Sequence, residues 1–372
     1  MSETSEKFID LVQPAVTNVS PYQPGKPIDQ LKREYKVSYV SKMASNENPL
    51  GSSLKVATAL VNFANQMSRY PDADGHNLRA KLAEFLKIDM SEVTLGNGSN
   101  ELLELVARVF AGPGDEIIYS QYGFAVYPIS AQIVGATAVE VPAVNYGHDL
   151  QAMLAAITPK TKIIYVANPN NPTGTLFRRD EWEAFISQVP ENVIVVLDEA
   201  YLEYAENACR DGSYPNGAEY FHDYPNLLVS RTFSKAYGLA SLRIGYMLGC
   251  EEILQYISRL RQPFSVNAYA QVAAMTALTD PQFVSKSLRI NDQGMMQIRA
   301  AVEAKGLKVI PSYANFLTIE FGENALEIYD KLLHEGVIVR PLANYGMADF
   351  LRVSIGNNHE NSHFMGALNK VL

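Results

Sequence analysis

Lys162-Ile-Ile-Tyr-Val-Ala167 and Val193-Ile-Val-Val-Leu-Asp198 are nearly unbroken apolar runs, separated by a helical pattern around Trp182. Neither run alternates polar with apolar positions, so each predicts a strand buried on both faces. The same pattern recurs on either side. Glu116-Ile-Ile-Tyr119 and Asn226-Leu-Leu-Val-Ser230 read as strands, while Leu78–Leu86 and Glu101–Phe110 read as helices, the second of them opened by the tight turn Gly96-Asn-Gly-Ser-Asn100. Strands alternating with helices predict an α/β domain with a mostly parallel sheet.

Beyond this region the pattern changes. A helical stretch runs through Ala268–Leu278 and over Phe283–Ala304. Lys308-Val-Ile310, Asn315–Glu320, Val337–Arg340 and Phe350–Ser354 then read as short strands around a helix at Ala325–His334. This predicts a small α+β domain. At the other end, Ser20-Pro-Tyr-Gln-Pro-Gly-Lys-Pro27 is too rich in proline for a helix or central strand. The expected division is an arm over residues 1–47 that joins the small domain, a large domain over 48–285 and a small domain over 286–372.

The 372 residues suffice for two domains with ample core. Hydrophobic residues make up 47% and charged residues 19%, the balance of a globular protein, and a formal net charge of −9 argues against nucleic acid as a partner. The two cysteines, Cys209 and Cys250, have no ligand-like spacing, which fits a reducing cytoplasm. The first residues are acidic and polar, nothing after them resembles an apolar leader, and no run has the length of a membrane span.

Ligands of open α/β sheets bind at the carboxyl ends of the strands, and polar residues gather there. Asp198 ends one apolar run and Tyr201 follows it. Asn171 stands in Asn168-Pro-Asn-Asn-Pro-Thr-Gly174, just past the other run. Gly98, Ser99 and Asn100 offer main-chain donors at a helix start, which suits a phosphate. Lys235 and Ser234 follow the run ending at Ser230, with Arg243 eight positions beyond the lysine. A lone lysine is normally a solvated surface group. A lysine amine, an acidic partner for a ring nitrogen and a phosphate cradle together describe a site for pyridoxal phosphate. In that reading Lys235 binds the cofactor covalently and Asp198 keeps its ring nitrogen protonated. Asn171 and Tyr201 reach its phenolic oxygen, and Tyr122, past the strand ending at Tyr119, covers its face.

Asn171-Pro-Thr-Gly174, Asp198-Glu-Ala-Tyr201 and Ser234-Lys235 with Arg243 resemble the signature of the fold-type I, aspartate aminotransferase-like enzymes. Ser45-Asn-Glu-Asn-Pro-Leu-Gly51, Arg69-Tyr-Pro-Asp72, Gly96–Leu102, Arg231–Ala240, Arg340-Pro-Leu342 and Leu351–Gly356 resemble the histidinol-phosphate aminotransferase family more closely. The resemblance runs from about Tyr22 to the C-terminus. It implies a seven-stranded sheet between helices and a cytoplasmic homodimer in which Tyr70 reaches the partner subunit's cofactor phosphate. It places Tyr22, Arg340 and Arg352 around the substrate, beside Asn171. The implied reaction is a ping-pong transfer from glutamate, which leaves as 2-oxoglutarate, to imidazole-acetol phosphate, giving histidinol phosphate for histidine biosynthesis. Lys235 carries the proton at the substrate Cα. One site must then hold a carboxylate and a phosphate in turn, which suits arginine.

Aromatic (phenylalanine or tyrosine) aminotransferases and threonine-phosphate decarboxylase resemble the same pattern. Sensor domains of some transcriptional regulators share the fold but add a helix-turn-helix, for which the arm is too short. His359-Glu-Asn-Ser-His363 matches the H-E-x-x-H pattern of zinc peptidases, a remote alternative with no evident third ligand; no metal is expected.

Overall fold

The computed structural model describes residues 8–17, 19 and 25–372. Thirteen strands occur among them. They are β1 (Ser41–Lys42), β2 (Val93–Gly96), β3 (Glu116–Ser120), β4 (Thr137–Val141), β5 (Thr161–Ala167), β6 (Ile194–Asp198), β7 (Leu227–Thr232), β8 (Gly245–Leu248), β9 (Lys308–Ile310), β10 (Phe316–Glu320), β11 (Val337–Ile338), β12 (Arg340–Leu342) and β13 (Met347–Ser354).

Seven of them form one sheet in the order β2-β8-β7-β6-β5-β3-β4. The pairs β3/β4, β3/β5, β5/β6 and β6/β7 are parallel, and only β8 runs against its neighbours. The apolar runs at 162–167 and 193–198 are its central pair, in register from Ile163 opposite Ile194 to Ala167 opposite Asp198. Their lack of alternation follows from burial on both faces. Ile164, Val166, Val195 and Leu197 pack on one side with Trp182 and Phe185. Ile163, Tyr165 and Val196 pack on the other with Leu103, Val106 and Tyr127. The mostly parallel α/β architecture read from the sequence is therefore the observed one.

A second sheet, ordered β12-β13-β10-β9, is antiparallel throughout, and β1 pairs with β11 in a separate parallel pair. The run at Val337–Arg340, expected as one strand, is two. Ile338 pairs with Lys42, whereas Arg340 pairs with Arg352. The helical stretch at 268–304 is likewise two helices, Ala268–Ala277 and Pro281–Glu303. Pro281 opens the second one, where its missing N–H costs nothing.

No helix among the described residues is long and apolar enough to cross a membrane. His359 and His363 lie on the helix Asn358–Val371, where His359 hydrogen-bonds the Tyr39 hydroxyl at 2.9 Å and His363 the Ser41 hydroxyl at 2.8 Å. Among the described residues no group of three or more His, Cys, Asp or Glu side chains is arranged to hold a metal.

Candidate active site

A cavity of about 600 Å³ opens at the carboxyl ends of β5, β6 and β7, between the two sheets. Ser99, Asn100, Asn171, Asp198, Tyr201, Ser234, Lys235, Arg243, Arg340 and Arg352 all line it. These residues come from positions as far apart as 99 and 352, so the fold, and not sequence proximity, assembles them.

Lys235 follows β7 by three residues, between Ser234 and Ala236. Its amine donates to the Ser45 carbonyl at 3.2 Å. Burial, aided by the charges of Arg352 and Arg243 and opposed by Glu47 and Asp198, pulls it down to about 8. Asp198 ends β6 and is only 5% exposed. Tyr127, in the helix Val126–Ile133, donates its hydroxyl to Asp198 Oδ2 at 2.9 Å, and the Ala200 amide donates to Oδ1 at 3.2 Å. Burial pushes the carboxyl up to about 6 against these two donors, so it is ionised at neutral pH.

Asn171 sits in a loop held by its own side chains. Asn170 donates to the Tyr122 carbonyl at 3.0 Å and to Thr173 at 2.9 Å, and Asn168 exchanges two hydrogen bonds with the Phe177 main chain. Arg352, on β13, donates to Asn171 Oδ1 and, at 2.7 Å, to the Ala44 carbonyl. Arg340 and Arg352 are each 6% exposed and stand opposite one another in the β12–β13 ladder.

Gly98 precedes the helix Ser99–Phe110 with φ +82°, and a Cβ there would run into the Arg243 guanidinium. The arginine thus lies against the glycine turn at the start of the helix. Arg243 also donates to the Ala240 carbonyl at 3.0 Å. This cradle, a buried carboxylate and a lysine depressed by burial are the donor set that pyridoxal phosphate requires.

Two expected tyrosines, Tyr122 and Tyr70, do not line the cavity. Tyr122 is not among the cavity-lining residues, and Phe124 is. Tyr122 has φ +59°, a left-handed turn past β3 that sends its ring to pack with Phe350, Met347 and Ile310, with Tyr146 at 6.0 Å. An aromatic that does line the cavity, Phe124, stands two residues further on. Tyr70 is 82% exposed and stacked on Phe264 at 4.6 Å, away from the cavity of its own chain. Tyr22 lies outside the described residues. Asn46, Tyr127 and Thr232 also line the cavity; Asn46 and Thr232 lie within the family-like stretches Ser45–Gly51 and Arg231–Ala240, but sequence reasoning gave none of the three a role.

The description "aminotransferase class I and II" fits residues 39–368 as a family. Histidinol-phosphate aminotransferase 2 of Hydrogenovibrio crunogenus is 59% identical over 98% of this chain and 97% of its own length. The protein of the same name from Pseudomonas aeruginosa is 52% identical over 98% of each chain. Among solved structures, histidinol-phosphate aminotransferase from Sinorhizobium meliloti in complex with pyridoxal-5′-phosphate superposes with a TM-score of 0.88 at 28% identity, covering 97% of each chain. The buried lysine, carboxylate and glycine cradle, together with likeness along nearly the whole chain, make this protein a member of the class I and II aminotransferases and, within them, of the histidinol-phosphate aminotransferase family.

Proposed function

We propose that this pyridoxal-phosphate-dependent aminotransferase moves an amino group between L-glutamate and imidazole-acetol phosphate, giving L-histidinol phosphate for histidine biosynthesis. The observation that carries the substrate class is the register of Arg340 with Arg352. Like charges directly opposite in a ladder are unfavourable, and an anion between them relieves the repulsion. A phosphate or a carboxylate can take that position, which lets one site accept histidinol phosphate and glutamate in turn.

When bound, the cofactor supplies an electrophilic aldehyde and a ring that accepts electrons. Lys235 would attach it. Gly98, Ser99, Asn100, Ser234 and Arg243 would hold its phosphate, Asp198 would face its ring nitrogen, Asn171 and Tyr201 would face its phenolic oxygen, and Phe124 would cover the ring. The Lys235 amine then takes and returns the proton at the substrate Cα, as general base and acid. With the lysine near 8, roughly a quarter of it is free amine at pH 7.5, against about one part in a thousand for an unperturbed lysine. The protein works as a cytoplasmic homodimer of 48–285 large and 286–372 small domains, the 1–47 arm joining the small one. Its exposed Tyr70 completes the site of the partner subunit, and Tyr22 contacts the substrate.

The test is a panel of amino acceptors offered to glutamate-treated enzyme, followed through the absorbance of the cofactor. Imidazole-acetol phosphate should show the highest kcat/KM. Equal or faster reaction with phenylpyruvate or 4-hydroxyphenylpyruvate would reassign the enzyme to aromatic amino acids.

A further inference from the structure

Three consecutive residues, Ala44, Ser45 and Asn46, each meet a different functional group of the cavity. Arg352 donates to the Ala44 carbonyl at 2.7 Å, Lys235 to the Ser45 carbonyl at 3.2 Å, and Asn46 contacts Tyr201. Asn46 is 1% exposed and has φ +54°, a conformation that asparagine tolerates better than most residues. Its carbonyl accepts from Asn315 at 3.0 Å. Its main-chain N–H donates to Ser354 Oγ at 2.7 Å, and Ser354 Oγ returns its proton to Asn46 Oδ1 at 2.8 Å.

In this arrangement Ser354 accepts the main-chain N–H and gives its one proton to the side-chain oxygen. The amide nitrogen is left to face Tyr201, and it donates to the Tyr201 hydroxyl at 2.9 Å. A hydroxyl that accepts from Asn46 has its own proton to give elsewhere. Tyr201 is 3% exposed, lines the cavity and is held near 12 by burial, so it keeps that proton at neutral pH.

We propose that Asn46 is a positioning residue that turns the Tyr201 proton toward the cofactor's phenolic oxygen. Through Ser354 it ties that bond to β13, the strand that carries Arg352. The inference rests on the assignment of Tyr201 to the cofactor made above. A donor at the phenolic oxygen favours the form with more negative charge there, which is the deprotonated form of the bound cofactor. Losing a well-aimed donor therefore raises the pH midpoint of the cofactor's visible absorbance.

The experiment is a spectrophotometric pH titration of the cofactor-loaded wild type, N46G, Y201F and the double variant. Glycine accepts φ +54° without strain, so N46G keeps the turn and deletes only the amide. N46G should raise the midpoint by about half a unit to one unit. In the Y201F background the same substitution should move it by no more than about 0.3 unit, because the two residues act through one bond. An unmoved midpoint in N46G, or an equal shift with and without Tyr201, overturns the role of Asn46. If Y201F itself leaves the midpoint unchanged, the assignment of Tyr201 falls, and that of Asn46 with it.

Discussion

Tyr127→Phe deletes one oxygen and leaves the ring, which is 1% exposed and stacked on Tyr165 at 4.8 Å and 3°. The packing therefore stays and only the 2.9 Å bond to Asp198 is lost. Asp198 sits near 6 because burial outweighs Tyr127 and Ala200. A carboxyl raised in this way binds its proton more tightly in the folded chain than in the unfolded one. Stability therefore falls as pH climbs from the ordinary aspartate value, about 4, through about 6. At about pH 5 the variant loses a bond to a mostly neutral carboxyl, worth about 1 kcal/mol, and at about pH 8.5 a bond to a carboxylate, worth about 1.5–3 kcal/mol. The difference, about 0.5–2 kcal/mol, is an upward shift of Asp198 by roughly half to one and a half units. Urea denaturation of the cofactor-free protein at the two pH values reads this directly, and repeating it in Asp198→Asn should erase the pH dependence. A cost that is the same at both pH values would refute the reasoning, as would a pH dependence that survives without Asp198.

Because Lys235 must be a free amine to take up cofactor, the rate of pyridoxal phosphate loading by the cofactor-free protein should rise with pH and level off above a midpoint near 8; a stopped-flow midpoint near the ordinary lysine value would contradict the burial argument. Arg352→Ala removes a guanidinium that would bond either anion, so steady-state kinetics should show KM raised roughly 10- to 150-fold for glutamate and for imidazole-acetol phosphate alike; no change in either would exclude Arg352 from substrate binding. The carboxylate of Glu199, fully buried, meets Arg231 at 2.7 Å and accepts from Tyr214 and the Gly217 amide, so Glu199→Gln should cost about 3–5 kcal/mol in denaturation, and a loss under about 1 kcal/mol would show the pair to be dispensable.

The strands legible in the sequence are those buried on both faces. β5, β6 and β7 carry the apolar runs Ile163–Ala167, Ile194–Leu197 and Leu227–Val229, and burial is what such runs report. β4 was not legible because it is the sheet edge, with Thr137, Ala138 and Glu140 exposed. β2 and β8 are four residues long and bounded by glycines, so neither has the length to show a period. The glycines serve contact instead. A Cβ at Gly245 would strike the Ser99 amide, so β8 packs directly beneath the turn that would hold the phosphate. What reads in the sequence as a break is, in the fold, a close approach.

The site divides along the same line. Lys235, Asp198, Asn171 and Arg243 were legible because each follows a recognisable strand or sits in a rigid local motif. Phe124 was not, since whether it or Tyr122 faces the cavity depends on one positive φ. The roles of Asn46, Ser354 and Tyr127 were not either, although the first two stand in family-like stretches, because their significance lies in bonds spanning 155, 308 and 71 positions. Lys235, Tyr201 and Arg352, separated by as many as 151 positions, all touch the three residues Ala44–Asn46. A displacement of that short segment would therefore disturb the amine, the phenol and the Arg352 guanidinium together.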